Sequence, residues 1–317
     1  MTTICVLCGG VGAARFLRGL LRVVPPSDIT AIVNTADDMR LHGLAISPDL
    51  DTCTYTLAEV INPETGWGLV GETWQAKETL DRYGGQTWFG LGDRDLGTHL
   101  YRTQRLDEGA TLADVTREIT AAWDLELNVL PMSNDSVRTR VTLTSGETID
   151  FQRYFVERQH ADAVRHVEFA GADRARPAPG VLAAIQNADC VVIAPSNPFV
   201  SIDPILSVPG IRDAVVQRRE RNVAISPIVG GGAVKGPAAD LMRSFGHEVS
   251  AAGVAALYQP LAAHLVIDTV DDHLAPAVSE TGMTPHVTNT MMTAIDVTTA
   301  LAEFTIATVD PTASRSV

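Results

Sequence analysis

The hydrophobic residues of the chain gather in short, continuous segments separated by glycine-rich or polar loops and by stretches of helical periodicity. The apolar segments read TICVLC, TAIVN, CVVIA, NVAIS and HLVID. Apolar segments of this length without alternation are typical of strands buried on both faces of a parallel sheet. The pattern therefore predicts an α/β fold with a Rossmann-like parallel sheet and helices on both of its faces.

The middle of the chain follows a different pattern. ETWQAKETLDRY and TLADVTREITAAWDL have helical periodicity, and VRTRVTLTSGETID alternates around a Ser-Gly turn as a β-hairpin does. We interpret residues 63–165 as an inserted, smaller α+β subdomain that covers the open end of the sheet. Residues 1–62 and 166–309 then form the core that binds a nucleotide or phosphate, and residues 310–317 form a frayed tail.

Composition narrows the class of protein. The 317 residues carry a formal net charge of -14, which does not favour binding to nucleic acid or to an anionic membrane. No apolar run is long enough for a transmembrane span and no signal peptide is evident, so we expect a soluble, cytoplasmic protein.

The cysteines are too few for a disulfide framework and suit a reducing compartment. They are Cys5, Cys8, Cys53 and Cys190. Cys5 and Cys8 have C-x-x-C spacing, but they fall on opposite faces of one predicted strand. This placement favours core packing over metal binding or redox chemistry.

Residues that can carry chemistry follow most of the predicted strands. Ligands of an open parallel sheet bind beyond the carboxyl ends of its strands, so these residues are expected to share one rim of the sheet. Glycine, hydroxyl, amide and lysine groups on one rim suit phosphate binding. The residues that we expect to bind a nucleotide or its phosphates are Gly9, Gly10, Gly12, Asn34, Ser196, Asn197, Gly231 and Lys235.

The first glycine loop nearly matches the G-x-G-x-x-G fingerprint of dinucleotide-binding proteins. Arg15 replaces the third glycine, where the fingerprint needs a small residue for close helix packing. The loop is not a P-loop, because no Gly-Lys-Ser/Thr follows. It can still bring its backbone and a helix N-terminus to an anion, or it can be a tight strand-to-helix turn with no ligand.

Four aspartates stand within fifteen residues after the second strand: Asp37, Asp38, Asp49 and Asp51. A dinucleotide oxidoreductase uses one acid here for a ribose, whereas phosphoryl chemistry uses several to hold a Mg²⁺ that neutralises phosphate charge. We therefore expect Mg²⁺ at Asp37, Asp49 and Asp51. Two structural roles are open as well: Asp51 as the N-cap of a helix that begins at Thr52, and Asp49 as part of a Pro-Asp turn.

Several longer motifs follow one another in an order that resembles a known family. GGVGAARFLRGL, NTADD, ISPDLDT, WFGLGDRD, LPMSND, APSNPFVSIDPIL and SPIVGGGAVKGPA are similar to motifs of the 2-phospho-L-lactate transferase family, which makes a precursor of the deazaflavin coenzyme F420. The resemblance extends to about Val309. Val11 departs from a threonine that many members have, which leaves phosphate contacts there to the backbone. The stretch from Gly12 to Phe16 resembles actinobacterial members, whose donor carries enolpyruvate.

The resemblance implies a Mg²⁺-dependent transferase that usually acts as a homodimer. In the implied reaction, the ribityl hydroxyl of the deazaflavin Fo attacks the outer phosphorus of a guanosine diphosphate-linked donor. GMP leaves, and a phosphoenolpyruvyl or 2-phospho-L-lactyl group remains on Fo as (dehydro) coenzyme F420-0. Asp49 and Asp51 are the expected catalytic residues, one of which binds Mg²⁺ or accepts the proton. The residues expected at Fo are Asp51, Thr52, Trp88, Asp93 and Arg94.

Two other classes of function are open from the residues alone. An NAD(P)-dependent oxidoreductase would use the near-fingerprint and Asp37. A sugar-nucleotide-binding regulator without catalysis could use the same fold, because a fold does not fix a function.

Overall fold

A computed structural model describes residues 2–309, and the tail predicted at residues 310–317 lies outside the described residues. The strands are β1 Ile4–Cys8, β2 Ile29–Val33, β3 Met39–Leu41, β4 Leu44–Ile46, β5 Asn128–Pro131, β6 Arg138–Leu143, β7 Thr148–Asp150, β8 Val164–Ala170, β9 Cys190–Ile193, β10 Asn222–Ile225, β11 Ile228–Val229, β12 Gly232–Ala233, β13 His264–Asp268 and β14 Thr284–Thr288. The helices are α1 Gly10–Leu20, α2 Pro48–Leu57, α3 Gln75–Arg82, α4 Asp95–Asp107, α5 Leu112–Ala122, α6 Val181–Asn187, α7 Asp203–Ser207, α8 Ile211–Val216, α9 Ala238–Ser244, α10 Ala251–Tyr258, α11 Ala275–Glu280 and α12 Ile295–Ala307.

Seven strands form the central sheet in the order β14-β13-β10-β9-β1-β2-β5. Every neighbouring pair in it is parallel, as the apolar segments predicted. The strand order reverses between β1 and β9, because β2 and β5 extend the sheet on one side and β10, β13 and β14 on the other. A crevice forms at the carboxyl ends of the strands at such a reversal, and the loops after β1 and β9 border it.

Helices cover both faces of the sheet. One core contains Cys5 of β1 with residues of α6, α8 and α10, and the other contains Cys8 with residues of α1, α2 and α12. The two cysteines of the C-x-x-C motif are thus buried on opposite faces, as predicted, and both are free thiols. Among the residues that the structure describes, no helix is long and apolar enough to cross a bilayer.

The covering region differs from the predicted insertion in its limits. β5 lies inside residues 63–165, yet it pairs with β2 at the edge of the central sheet. β8 crosses the predicted boundary at residue 166 and pairs with β6, which also forms the predicted hairpin with β7. The cover consists of α3, α4 and α5 together with this three-stranded antiparallel sheet. β5 gave no strand signal because it is a short edge strand that ends in a proline.

Candidate active site

A cavity of about 1100 Å³ opens beside the loops that follow β1 and β9. The lining does not include four of the residues that the sequence singled out, which are Asn34, Asp93, Arg94 and Gly231. The residues that the sequence singled out and that do line the cavity are Gly9, Gly10, Gly12, Asp37, Asp49, Asp51, Thr52, Trp88, Ser196, Asn197 and Lys235.

The glycine loop after β1 is held against the loop after β9. Ser196 Oγ accepts a hydrogen bond from the Gly9 backbone N–H at 3.3 Å and donates to the Gly9 carbonyl oxygen at 2.8 Å. A Cβ at Gly12 would lie 2.5 Å from the carbonyl oxygen of Pro195, so only glycine lets α1 start this close to the second loop. The start of α1, whose partial positive charge attracts anions, therefore borders the cavity.

Asp37 and Asp49 share one amide donor. Nδ2 of Asn34 lies 3.2 Å from Oδ2 of Asp37 and 3.0 Å from Oδ2 of Asp49. The same nitrogen also lies 3.3 Å from the Val200 carbonyl oxygen, and Oδ1 of Asn34 accepts a bond from the Ala36 N–H. Asn34 is fully buried. It orients the two carboxylates, and the phosphate contact predicted for it would need polar atoms that these bonds already use.

Burial is the largest influence on the carboxylates near Asn34, and it raises the pKa of each of them. Burial raises the pKa of Asp49 to about 6 against the hydrogen bonds from Asn34 and the Gly10 backbone, and burial raises the pKa of Asp38 to about 8. Burial and the nearby charge of Asp49 also raise the pKa of Asp37 well above its usual range. Oδ1 of Asp37 is buried without a hydrogen-bond partner among the described residues. Carboxylate oxygens of this kind suit Mg²⁺, so Asp37 and Asp49 fit a divalent cation.

Asp51 lies in a different environment from Asp49. Both of its carboxylate oxygens bond the guanidinium of Arg102, with Nη1 at 3.1 Å from Oδ2, and Arg102 is only 2% exposed. Helix α2 begins at Pro48 with Ser47 as its N-cap, so the prediction that Asp51 caps a helix starting at Thr52 is wrong. Asp49 lies in the first turn of the same helix, so it is not part of the Pro-Asp turn considered for it.

Asp51, Asp95 and His99 form a second group with metal-ligand chemistry. Each offers one ligand atom, and these atoms lie within 4.8 Å of one another. Nε2 of His99 lies 3.2 Å from Oδ2 of Asp95, and the Tyr55 hydroxyl donates to Oδ1 of Asp95 at 2.6 Å. These distances would allow a cation, but the guanidinium of Arg102 already neutralises Asp51. Mg²⁺ therefore fits Asp37 and Asp49 better than it fits Asp51.

Comparison with known proteins identifies the family. A family model described as 2-phospho-L-lactate transferase CofD matches residues 4–305. The chain belongs to this family. Similar proteins named phosphoenolpyruvate transferase occur in Streptomyces griseus, at 47% identity over 304 residues, and in Kitasatospora aureofaciens, at 44% over 310 residues. These alignments cover 94% and 96% of this chain and 96% and 97% of the two relatives.

A solved structure shares the fold of this CofD family member. It is a Bacillus halodurans protein of the UPF0052 family, with a TM-score of 0.63 and 20% identity, over 96% of this chain and 100% of that one. Family membership confirms the resemblance that the motifs indicated, and it makes this chain a transferase.

Two residues expected at the acceptor of this CofD family member do not line the cavity. The carboxylate of Asp93 accepts hydrogen bonds from the backbone N–H groups of Gln75 at 3.0 Å and Ala76 at 3.1 Å. Nη1 of Arg94 donates to the carbonyl oxygen of Val70. Both side chains are thus engaged with the segment that leads into α3. Gly231 lies in the β11–β12 hairpin, with a φ of +76° that favours glycine.

The CofD cavity also has a lining that the sequence did not reveal. Trp67 and Trp74 pack edge-on with ring centroids 6.0 Å apart, while Phe151 and Phe155 stack at 5.5 Å. Of the aromatic residues in the lining, only Trp88 was among the residues expected at Fo. The sequence signal was the high number of tryptophans in the middle of the chain. Composition alone does not show which of these rings lie together. Further lining residues that were missed are Arg15, Tyr55, Lys77 and His160.

Proposed function

We propose that this CofD-family transferase moves a phosphoenolpyruvyl, or 2-phospho-L-lactyl, group from a guanosine diphosphate-linked donor to the ribityl hydroxyl of the deazaflavin Fo. GMP is released and (dehydro) coenzyme F420-0 is formed. One observation carries the proposal: a single cavity unites a glycine turn at a helix start, the Asp37–Asp49 pair and a wall of tryptophans. The names of the actinobacterial relatives support the enolpyruvyl donor.

The diphosphate of the donor binds at the glycine turn in this proposal. Backbone N–H groups at the start of α1 point to anions placed there, and Ser196 holds the turn in place. Arg15 and Lys235 line the same cavity and add positive charge. Asn197 uses its Oδ1 to accept a bond from the Phe199 N–H at 3.0 Å, which leaves its buried Nδ2 as an unpartnered donor within the described chain.

The chemical step takes place at Asp37 and Asp49 in this proposal. The two carboxylates would hold Mg²⁺, which neutralises charge on the phosphates when bound. The ribityl oxygen bonds to the outer phosphorus, and the bond from that phosphorus to the bridging oxygen of GMP breaks. Asp49 accepts the hydroxyl proton, because its carboxylate lies in the cavity lining beside the start of α1, where the phosphates are placed. Phosphoryl transfer depends mostly on such positioning and charge neutralisation.

Fo occupies the aromatic part of the cavity in this proposal. Its flat ring binds against Trp67, Trp74 and Trp88, and Thr52 lies in the same lining. Asp51 shapes this wall through its ion pair with Arg102, so its catalytic role is indirect. Asp49 and Asp51 therefore have different roles in this proposal, and Asp49 is the one at the reacting atoms.

A direct product assay tests the proposed function. The purified chain is incubated with Fo, Mg²⁺ and each guanosine diphosphate donor in turn, and the mixture is separated by chromatography. We expect one new anionic deazaflavin and one GMP for each Fo consumed. No product with either donor would contradict the proposal, and NAD(P) binding in the same preparation would favour an oxidoreductase. The homodimer and the cytoplasmic location stay predictions, the first of them checked by light scattering.

A further inference from the structure

A carboxylate from outside α3 caps the start of this helix. Asp93 accepts bonds from the Gln75 and Ala76 N–H groups, and Thr73 donates its hydroxyl to the same carboxylate. The Asp93 N–H in turn donates to the Thr73 carbonyl oxygen at 3.0 Å. Trp74 is the N-cap residue of α3 and makes no side-chain capping bond. Asp93 therefore satisfies the donors that a helix start leaves open.

A second carboxylate, that of Glu72, caps the start of α4 from the segment that leads into α3. Glu72 accepts hydrogen bonds from the N–H groups of Arg94 at 2.7 Å and Asp95 at 3.0 Å, where α4 begins. A Cβ at Gly92 would lie 2.2 Å from the Glu72 carboxyl, so the absence of a side chain at Gly92 is what admits this carboxylate. Each of the two segments thus caps the helix that the other one leads into.

The segments joined by these caps carry Trp74 and Gly90, and Trp67 packs against both. Trp74 directly precedes α3, and Trp67 packs edge-on against it. Both rings lie against Gly90, where a Cβ would be 2.8 Å from Trp67 and 3.6 Å from Trp74. The two caps set the spacing between residues 72–76 and residues 90–95. They therefore set where the two rings stand in the lining.

We propose that Glu72 and Asp93 are positioning residues, which hold Trp67 and Trp74 at the spacing that the flat ring of the acceptor needs. The inference rests on the proposed function, which supplies that acceptor. Neither carboxylate lines the cavity. Asp93 thus acts through α3 and does not touch the acceptor, which differs from the role implied by the family resemblance.

Alanine and amide variants of both residues test this inference in the full chain. We expect Asp93→Ala and Glu72→Ala each to raise the KM for Fo about tenfold, the size expected from a lost helix cap. The kcat and the KM for the donor should change less than about twofold, because the glycine turn and Asp49 are untouched. Asp93→Asn and Glu72→Gln keep one of the two oxygens that accept from the backbone, so they should recover part of the affinity for Fo.

Asp114→Ala is the matched control. Asp114 forms a capping box with Thr111 at the start of α5, and α5 contributes no residue to the cavity lining. This variant should leave the KM for Fo at the parent value. An Asp93→Asn variant as impaired as Asp93→Ala would show that the charge meets the acceptor directly and would overturn the inference. An unchanged KM in Asp93→Ala, or an equal effect of Asp114→Ala, would overturn it as well.

Hydrogen exchange separates this inference from the proposed function. If the parent chain forms no product with either donor, the proposed function fails, yet the caps can still be measured by protection of the backbone amides at the two helix starts. Asp93→Ala and Glu72→Ala should each remove the protection of the two helix-start amides bound by that carboxylate. Unchanged protection in both variants would overturn the positioning role whatever the activity.

Discussion

Nδ2 of Asn34 donates a 3.0 Å hydrogen bond to Oδ2 of Asp49. This bond orients the carboxylate without neutralising it, because an amide carries no net charge. The carboxylate therefore stays buried with a raised pKa, a property that suits a proton acceptor and a cation ligand but works against stability. Both the activity and the stability of the chain are expected to depend on this arrangement and on the contacts around it.

Asp49→Asn should lower kcat about a hundredfold or more, because the variant loses both the proton acceptor and one cation ligand. The KM for Fo should change little, since the tryptophan wall is intact. Steady-state rates of GMP release at saturating Mg²⁺ measure both constants. Asp173→Asn is the control, because the Asp173 side chain is 80% exposed. A kcat within the range of this control would show that Asp49 has a structural role only.

Asp49→Asn should also be more stable than the parent at neutral pH without Mg²⁺. Folding raises the pKa of Asp49 from 3.8 to about 6, so the folded state binds this proton more tightly than the unfolded chain. That contribution to the free energy of unfolding is fully present below about pH 4 and is lost as the pH rises through about 6. Thermal unfolding across this window should show a smaller decline in the variant. Asp37 and Asp38 account for the decline that persists, and an equal decline in both proteins would contradict the assignment to Asp49.

Mg²⁺ should raise the Tm of the parent more at about pH 8 than at about pH 5, because protons compete with the cation for the same buried carboxylates. Asp37→Asn should abolish most of this shift, since it removes the negative charge of one proposed cation ligand. Calorimetric titration with Mg²⁺ alone gives the matching affinities. A shift that persists in Asp37→Asn would place the cation at another site, with Asp51, Asp95 and His99 as the next group to examine.

Asp51→Asn should reduce the free energy of unfolding by about 3–5 kcal/mol, because it leaves the buried guanidinium of Arg102 without its charge partner. Urea denaturation measures the loss. Glu118→Gln is the matched control at a second ion pair of α4: Glu118 pairs with Arg105 at 29% and 31% exposure, where solvent screens the charges and the pair contributes little to stability. Equal stability of the two variants would show that the Asp51–Arg102 pair does not hold α4 to α2.

Gly12 and Gly97 differ in the space that a side chain would find, and this difference tests the close approach of α1 to the loop after β9. Gly12→Ala should raise the KM for the donor, because its Cβ meets the Pro195 carbonyl oxygen and displaces the start of α1. Gly97 lies in α4, and a methyl group at this position would meet nothing within 4 Å, so Gly97→Ala should leave the same KM unchanged. Donor titrations at fixed Fo compare them, and an unaffected Gly12→Ala would remove the glycine turn from the donor site.

Local sequence was enough to predict the sheet and the family. Continuous apolar segments such as Ile4–Cys8 indicate burial on both faces of the sheet. The motifs and their order along the chain indicate the family. One cavity is lined by Gly9, Gly10, Gly12, Asp37 and Asp49, in agreement with the rule that the carboxyl ends of parallel strands meet at one edge of the sheet. The two edge strands β5 and β14 were not predicted, because their pairing with β2 and β13 is a long-range contact that a short segment does not encode.

Only the tertiary structure distinguished Asp49 from Asp51. The two acids stand two positions apart on one helix, so their side chains point in different directions from it. Asp51 meets Arg102, a residue far along the chain on α4, whereas Asp49 faces Asn34 and the start of α1. The charge of a buried carboxylate is governed by such partners, which come from other segments of the chain, and no local pattern encodes them. The capping of α3 by Asp93 depends on tertiary structure for the same reason.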